Sequence, residues 1–100
     1  MHARMTTMEM DPNRMDAAVS QVEQENLPEW KELAGFRGFT LLADRTSGKI
    51  VATSYWNSEA EMDAAEEPIK DARRQAAETG GANEEPRVER FEVAVDSFTA

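Results

Sequence analysis

A chain of 100 residues with 40% apolar and 31% charged side chains has the makings of one globular domain, here spanning residues 1–100. Twenty acidic against eleven basic residues leave a net charge of −9, and the bases are scattered rather than gathered on one element. That balance argues against nucleic acid and against an anionic membrane surface as partners, and the lack of cysteine excludes disulfides, thiolate chemistry and zinc–sulfur sites.

The opening MHARMTTMEM lacks the long apolar core of a secretory leader, and no later stretch approaches the length of a membrane span. A cytoplasmic address is the expectation. Residues 3–10 carry no Gly or Pro and suit a first strand, and Asp11–Pro12 then fits an N-cap followed by proline at the first helical position. Met15, Ala18, Val19, Val22, Leu27, Trp30 and Leu33 recur at near-helical spacing as one apolar stripe. Pro28 lies inside it and is expected to kink or split the helix, because its ring has no N–H and crowds the carbonyl four residues back. Gly35 closes the element.

FRGFTLLADRTSGKIVATSYW predicts two strands, Phe36–Ala43 and Lys49–Trp56, joined by the turn DRTSG. In the second, Ile50, Ala52 and Trp56 oppose Val51 and Tyr55. In the first, Phe36 and Leu42 are expected to oppose Phe39 and Leu41. Apolar groups on both faces predict that both faces are covered.

Ser58 opens the next helix through a capping box, its hydroxyl accepting from Glu61 N–H while the Glu61 carboxylate reaches back to Ser58 N–H. Met62, Ala65, Ile69, Ala72 and Ala76 form the buried stripe. Its small residues let the helix lie close to the sheet, or leave room for something between. Pro68 implies a kink or restart, and Thr79–Gly81 ends the helix. RVERFEVAV alternates as a last strand, with a frayed tail expected after Asp96.

The order βαββαβ predicts an α+β, ferredoxin-like fold: a four-stranded antiparallel sheet with both helices on one face. Two helices cover one face, so the other is expected to pack on a second copy of the chain.

GFRGF at the entry to the second strand, the hairpin DRTSGKIVATSYW and the exit Trp56–Asn57–Ser58–Glu59 together resemble the antibiotic biosynthesis monooxygenase family of dimeric α+β barrels, over nearly the whole chain. The resemblance implies a homodimer and a cavity between sheet and helices, lined by a tryptophan near the end of the third strand, which matches Trp56. It also implies an asparagine on the first strand, where this chain has Thr6 and Thr7. In haem-degrading members it implies a histidine on the second helix, whereas Glu59–Thr79 contains none and the sole imidazole is His2. What remains is a homodimeric monooxygenase-like protein that binds a small hydrophobic or aromatic molecule between sheet and helices, with oxygenation without cofactor or metal as its chemistry if it is catalytic. The alternative is a non-catalytic dimeric binding or regulatory module of the same fold.

The candidate pocket-lining residues are Trp56, Ser54, Thr6, Arg4, Met62 and Ile69, with no catalytic residue assigned. Trp56 can stack on a flat ligand or serve as core at a strand end. Arg4, like Arg37 and Arg90, can fix an anionic group of a ligand or pair with one of the many carboxylates. Thr6, Ser54 and neighbouring hydroxyls suit a pocket, but Thr is also favoured in strands. The methionines at 5, 8, 10 and 15 can line an adaptable pocket or fill core gaps. Asn57 and Ser58 read as helix-entry residues, and Asp63, Glu66 and Glu67 as a solvated helix face rather than a metal site.

Overall fold

Four strands, β1 (His2–Glu9), β2 (Phe36–Asp44), β3 (Lys49–Trp56) and β4 (Arg87–Glu92), form one antiparallel sheet in the order β2-β3-β1-β4. This is the arrangement of the computed structural model, which describes residues 1–98. The helical segments α1 (Met15–Gln21), α2 (Leu27–Trp30), α3 (Glu59–Ala64) and α4 (Glu66–Gly80) complete a ferredoxin-like α+β fold. Among the described residues no helix is long and apolar enough to cross a membrane.

Register fixes what the helices cover. Phe39, Ser54, Arg4 and Arg90 stand in one row across the sheet, and Leu41, Ala52, Thr6 and Val88 in the next. Alternation along each strand puts these rows on one face, with Met8 and Ile50 beyond them, and the buried stripes of α1 and α4 close over that face. The opposite face carries Leu42, Val51, Tyr55 and Phe91, of which Leu42 and Phe91 are 62% and 46% exposed.

One expected facing is corrected. Phe36 pairs with Trp56 while Gly38 pairs with Tyr55, so Arg37 is an extra residue in a β-bulge. The insertion changes the phase of the strand, and Phe36 joins Phe39 and Leu41 against the core instead of opposing them. β4 is also shorter than the alternation to Val95 suggests. Its pairing with β1 stops at His2–Glu92, followed by one hydrogen bond from Val93 N–H to the Met1 carbonyl at 2.9 Å. Phe98 packs edge-on against Tyr55 with ring centroids 5.0 Å apart; the rest of the expected frayed tail, residues 99 and 100, lies outside the described residues.

Both prolines inside the helical runs leave a visible mark. Before Pro28 the chain widens into a π-turn, Val22–Asn26, and Leu27 N–H donates to the Val22 carbonyl five residues back. The wider turn accommodates a proline that cannot donate to the carbonyl four residues earlier. In the second run the helix breaks at Ala65 and restarts, so that Pro68 falls in the first turn of α4, where its missing N–H costs little. Ser58 caps α3 by accepting from Glu61 N–H at 3.2 Å. The Glu61 carboxylate, however, takes the Ser58 hydroxyl at 3.0 Å rather than the expected backbone N–H.

The β2–β3 turn requires glycine at position 48. Gly48 has φ +86, and a Cβ there would lie 2.0 Å from the Met10 carbonyl oxygen. That close approach matters, because Met10 N–H donates to the Gly48 carbonyl at 2.8 Å and so ties the end of β1 to the turn.

Candidate functional site

Between the sheet and the helices lies a cavity whose existence follows from side-chain size. Ala52 on the sheet faces Ala18 of α1 and Ala72 and Ala76 of α4, and methyl groups at these positions do not fill the space between layers. Larger residues close the edges: Met8 and Met10 at one end, Trp30 and Phe39 at the other. Trp30 meets Phe39 edge to face, with centroids 5.2 Å apart. The gap measures ≈ 580 Å³ with the open space at its mouth included. It is a slot.

Twelve of the sixteen lining residues are apolar, and the other four are Arg4, Thr6, Ser54 and Arg73. The environment is therefore dry, with its polarity concentrated at one place. Arg4, on the central strand β1, is 2% exposed. Its Nη2 donates to the Met62 carbonyl at 2.8 Å and contacts Glu66 Oε2 at 2.9 Å. Arg73, one side of whose helix faces the cavity, reaches Glu66 Oε1 at 3.3 Å. One carboxylate thus serves two guanidiniums. Nε and Nη1 of Arg4, and Nε and Nη2 of Arg73, are buried and have no hydrogen-bond partner among the described residues. Burial pulls the Arg4 guanidinium below its ordinary pKa, and Glu66 partly restores it. Arg90, ion-paired to Asp63, lies close enough to add repulsion.

Of the residues singled out in the sequence, Arg4, Thr6, Ser54 and Ile69 border the cavity. Trp56 and Met62 are fully buried beside it and do not line it. Trp56 is held at the strand end by the edge of Phe36, centroids 5.5 Å apart, and its Nε1–H donates to Ser54 Oγ at 2.9 Å. Met62 contributes its carbonyl to Arg4. Asn57 is anchored twice outside the cavity, by its N–H to the Gly35 carbonyl at 2.8 Å and by its amide oxygen, which accepts from Arg37 at 2.9 Å. Of the four methionines considered, Met8 and Met10 line the cavity.

Arg73 was not foreseen. Its signal is in the chain nonetheless: it lies four residues after Ile69 and three before Ala76, on the border of the buried stripe, and seven after Glu66 on the same side of the helix. Arg73 also borders a wider groove between α4 and the loop leading to β4, lined by Lys70, Ala77, Asn83 and Pro86. Among the described residues no group of three or more His, Cys, Asp or Glu side chains could hold a metal ion.

No protein-family model matches the chain. Two uncharacterized proteins of Mycobacterium tuberculosis (strain ATCC 25618 / H37Rv), Rv2557 and Rv2558, are 33% identical over 93 residues and 34% identical over 94. The match covers 93% and 94% of this chain but 41% and 39% of theirs, so the chain spans about two fifths of the length of these relatives. Among solved structures it resembles the monooxygenase from the gene ActVA-Orf6 of Streptomyces coelicolor, in complex with the ligand nanaomycin D, at a TM-score of 0.79 and 16% identity, over 99% of this chain and 92% of that one. A putative antibiotic biosynthesis monooxygenase from Deinococcus radiodurans matches at a TM-score of 0.74 and 13% identity, over 97% of this chain and 96% of its own. Architecture is what is shared at such identities, and this chain has the fold of the antibiotic biosynthesis monooxygenase-like proteins.

Proposed function

We infer that the chain works as a homodimer and binds a small hydrophobic or aromatic molecule in the slot between sheet and helices. The observation that carries this reading is the cavity itself: a mostly apolar space kept open by facing alanines, with its polar groups at one end, is the usual construction of a small-molecule site. Trp56 and Met62 support it from behind, holding Ser54 and Arg4 respectively. Pairing across the open sheet face is supported by the exposure of Leu42, Phe91 and Phe98, which together with Tyr55 and Val51 make a broad apolar surface. The test is a methyl-detected NMR titration with a neutral single-ring probe such as benzamide. Shifts at Ala18, Ala52, Ala72 and Ala76 are expected, and a spectrum unchanged at all four would refute the reading.

Binding without turnover is favoured over catalysis because, among the described residues, no carboxylate or imidazole lines the slot to accept a proton. A second reading, cofactor-independent oxygenation of a phenol, draws on the likeness to the Streptomyces coelicolor monooxygenase and on the dryness of the slot. It predicts oxygen uptake by the purified protein with a hydroxyanthrone. No uptake above the protein-free rate would leave the binding reading alone.

A further inference from the structure

We propose that the slot is selective for small carboxylic acids in their ionised form, a single ring or a short chain bearing one carboxylate, with Arg4 and Arg73 as the residues that hold the carboxylate. This rests on the preceding reading that the cavity binds a small molecule and adds the chemistry of its polar end.

Three observations converge on an anion. The first is unspent donors: Arg4 is almost wholly buried, and two of its three nitrogens have no partner among the described residues; Arg73, whose side chain is 12% exposed, likewise has two. Buried N–H groups are almost always satisfied in a resting fold, so four unpartnered guanidinium nitrogens on two residues that border the same cavity are donors an entering acceptor can satisfy by a turn of either side chain. The second is the count of charges. Arg4 and Arg73 share Glu66, two guanidiniums against one carboxylate, which leaves one positive charge over beside the cavity in a chain whose net charge is −9. An acidic protein that keeps surplus positive charge inside its driest space is complementary to one monoanion.

The third is geometry. A guanidinium presents its donors in a planar fork that suits the two oxygens of a carboxylate, and charged hydrogen bonds of this kind are about twice as strong as neutral ones. Glu66 already shows the arrangement, since its two oxygens are taken by the two arginines separately, Oε2 by Arg4 and Oε1 by Arg73. A ligand carboxylate would use the nitrogens Glu66 leaves free. The apolar remainder of the molecule then points along the slot toward Ala52, Ala72 and Met8. Size is bounded by the bulky side chains at the edges of the gap, with the flexible Met8 and Met10 able to yield a little at the far end.

The experiment is calorimetric titration with two isosteric pairs, benzoate against benzamide and hexanoate against hexanamide, for the wild-type protein, Arg73→Met and Arg4→Met. Each acid is expected to bind at least tenfold more tightly than its amide to the wild type. Both variants should lose that preference, the affinity for the acid falling at least tenfold more than the affinity for the amide. Arg73→Met carries the test if Arg4→Met does not fold, which circular dichroism reports. Equal affinity for acid and amide, or a preference that survives Arg73→Met, would overturn the proposal and leave the hydrophobic site intact. If neither acid nor amide binds, the proposal falls together with the binding function on which it rests.

Discussion

Arg4 and Arg73 approach one carboxylate from two layers of the fold, the first from the central strand and the second from the helix above it, and take one oxygen of Glu66 each. A buried ion pair is weak evidence of stability, because the cost of removing charges from water rivals their attraction. Breaking it from one side is costly. Glu66→Gln leaves two guanidiniums facing each other in a dry cavity and is expected to destabilise the fold by about 2 kcal/mol, less than the roughly 3–5 kcal/mol for a fully buried partner because Glu66 is 38% exposed. Arg4→Met instead removes the buried charge and is expected to cost under about 1 kcal/mol. Urea denaturation of both variants and the double variant tests this ordering. A larger loss for Arg4→Met than for Glu66→Gln would mean the arginine is chiefly structural.

Trp56 and Ser54 form a second pair whose members stand two residues apart on the same face of β3. With Trp56 Nε1 at 2.9 Å from Ser54 Oγ and no exposure to water, Ser54→Ala strands a buried donor. The expected loss is about 1–3 kcal/mol. Trp56→Ala should lose roughly 3–5 kcal/mol through the cavity it leaves, while Trp56→Phe combined with Ser54→Ala should recover most of the Ser54→Ala loss. Thermal denaturation of the set is the check. A Ser54→Ala protein as stable as the wild type would show the indole finds another partner.

The open sheet face makes a separate prediction about assembly. Leu42→Lys and Phe91→Lys place charge in the two edge strands of a surface that the wild type leaves apolar. Each should shift the protein from dimer toward monomer in sedimentation velocity at micromolar concentration, with little change in helix content by circular dichroism. Identical sedimentation of the wild type and both variants would place any dimer contact elsewhere.

Asp44 offers a pH signature at the hairpin. Its carboxylate accepts from the N–H groups of Thr46 at 3.0 Å and Ser47 at 3.3 Å, which hold it below the ordinary value of 3.8, with Lys49 adding a smaller pull. A carboxyl whose folded pKa is depressed stabilises the fold above its unfolded value and loses that contribution as pH falls through the folded one. The difference in melting temperature between wild type and Asp44→Ala should therefore be constant near neutral pH and shrink below pH 3.8. A difference that persists unchanged at the lowest pH would assign the effect to the side chain's shape instead of its charge.

The frame of the fold was legible where periodicity and punctuation agree. Lys49–Trp56 is bounded by a turn glycine and a helix cap, and β3 occupies those residues. FRGF conceals its bulge because Gly38 has no side chain to betray a change of phase, so simple alternation puts Phe36 opposite the face it occupies. At the site, Arg4, Thr6 and Ser54 alternate on strands, and alternation says which face they share. Whether a residue at the strand end lines a space or lies behind it depends on helix position, which sequence spacing does not encode. Trp56 sits behind. Arg73 is not legible in the sequence because a charged residue in an acidic helix reads as solvated, and only the fold shows that it is largely buried and reaches Glu66.

The central claim, that the slot holds a small anion by its two arginines, is tested most directly by a crystal structure of the protein soaked with benzoate. The account predicts the ring between Ala52 and Ala72, with carboxylate oxygens within hydrogen-bond distance of Arg4 Nε or Nη1 and of Arg73. Benzoate on the open sheet face, or seated in the slot with its carboxylate turned away from both guanidiniums, would contradict it.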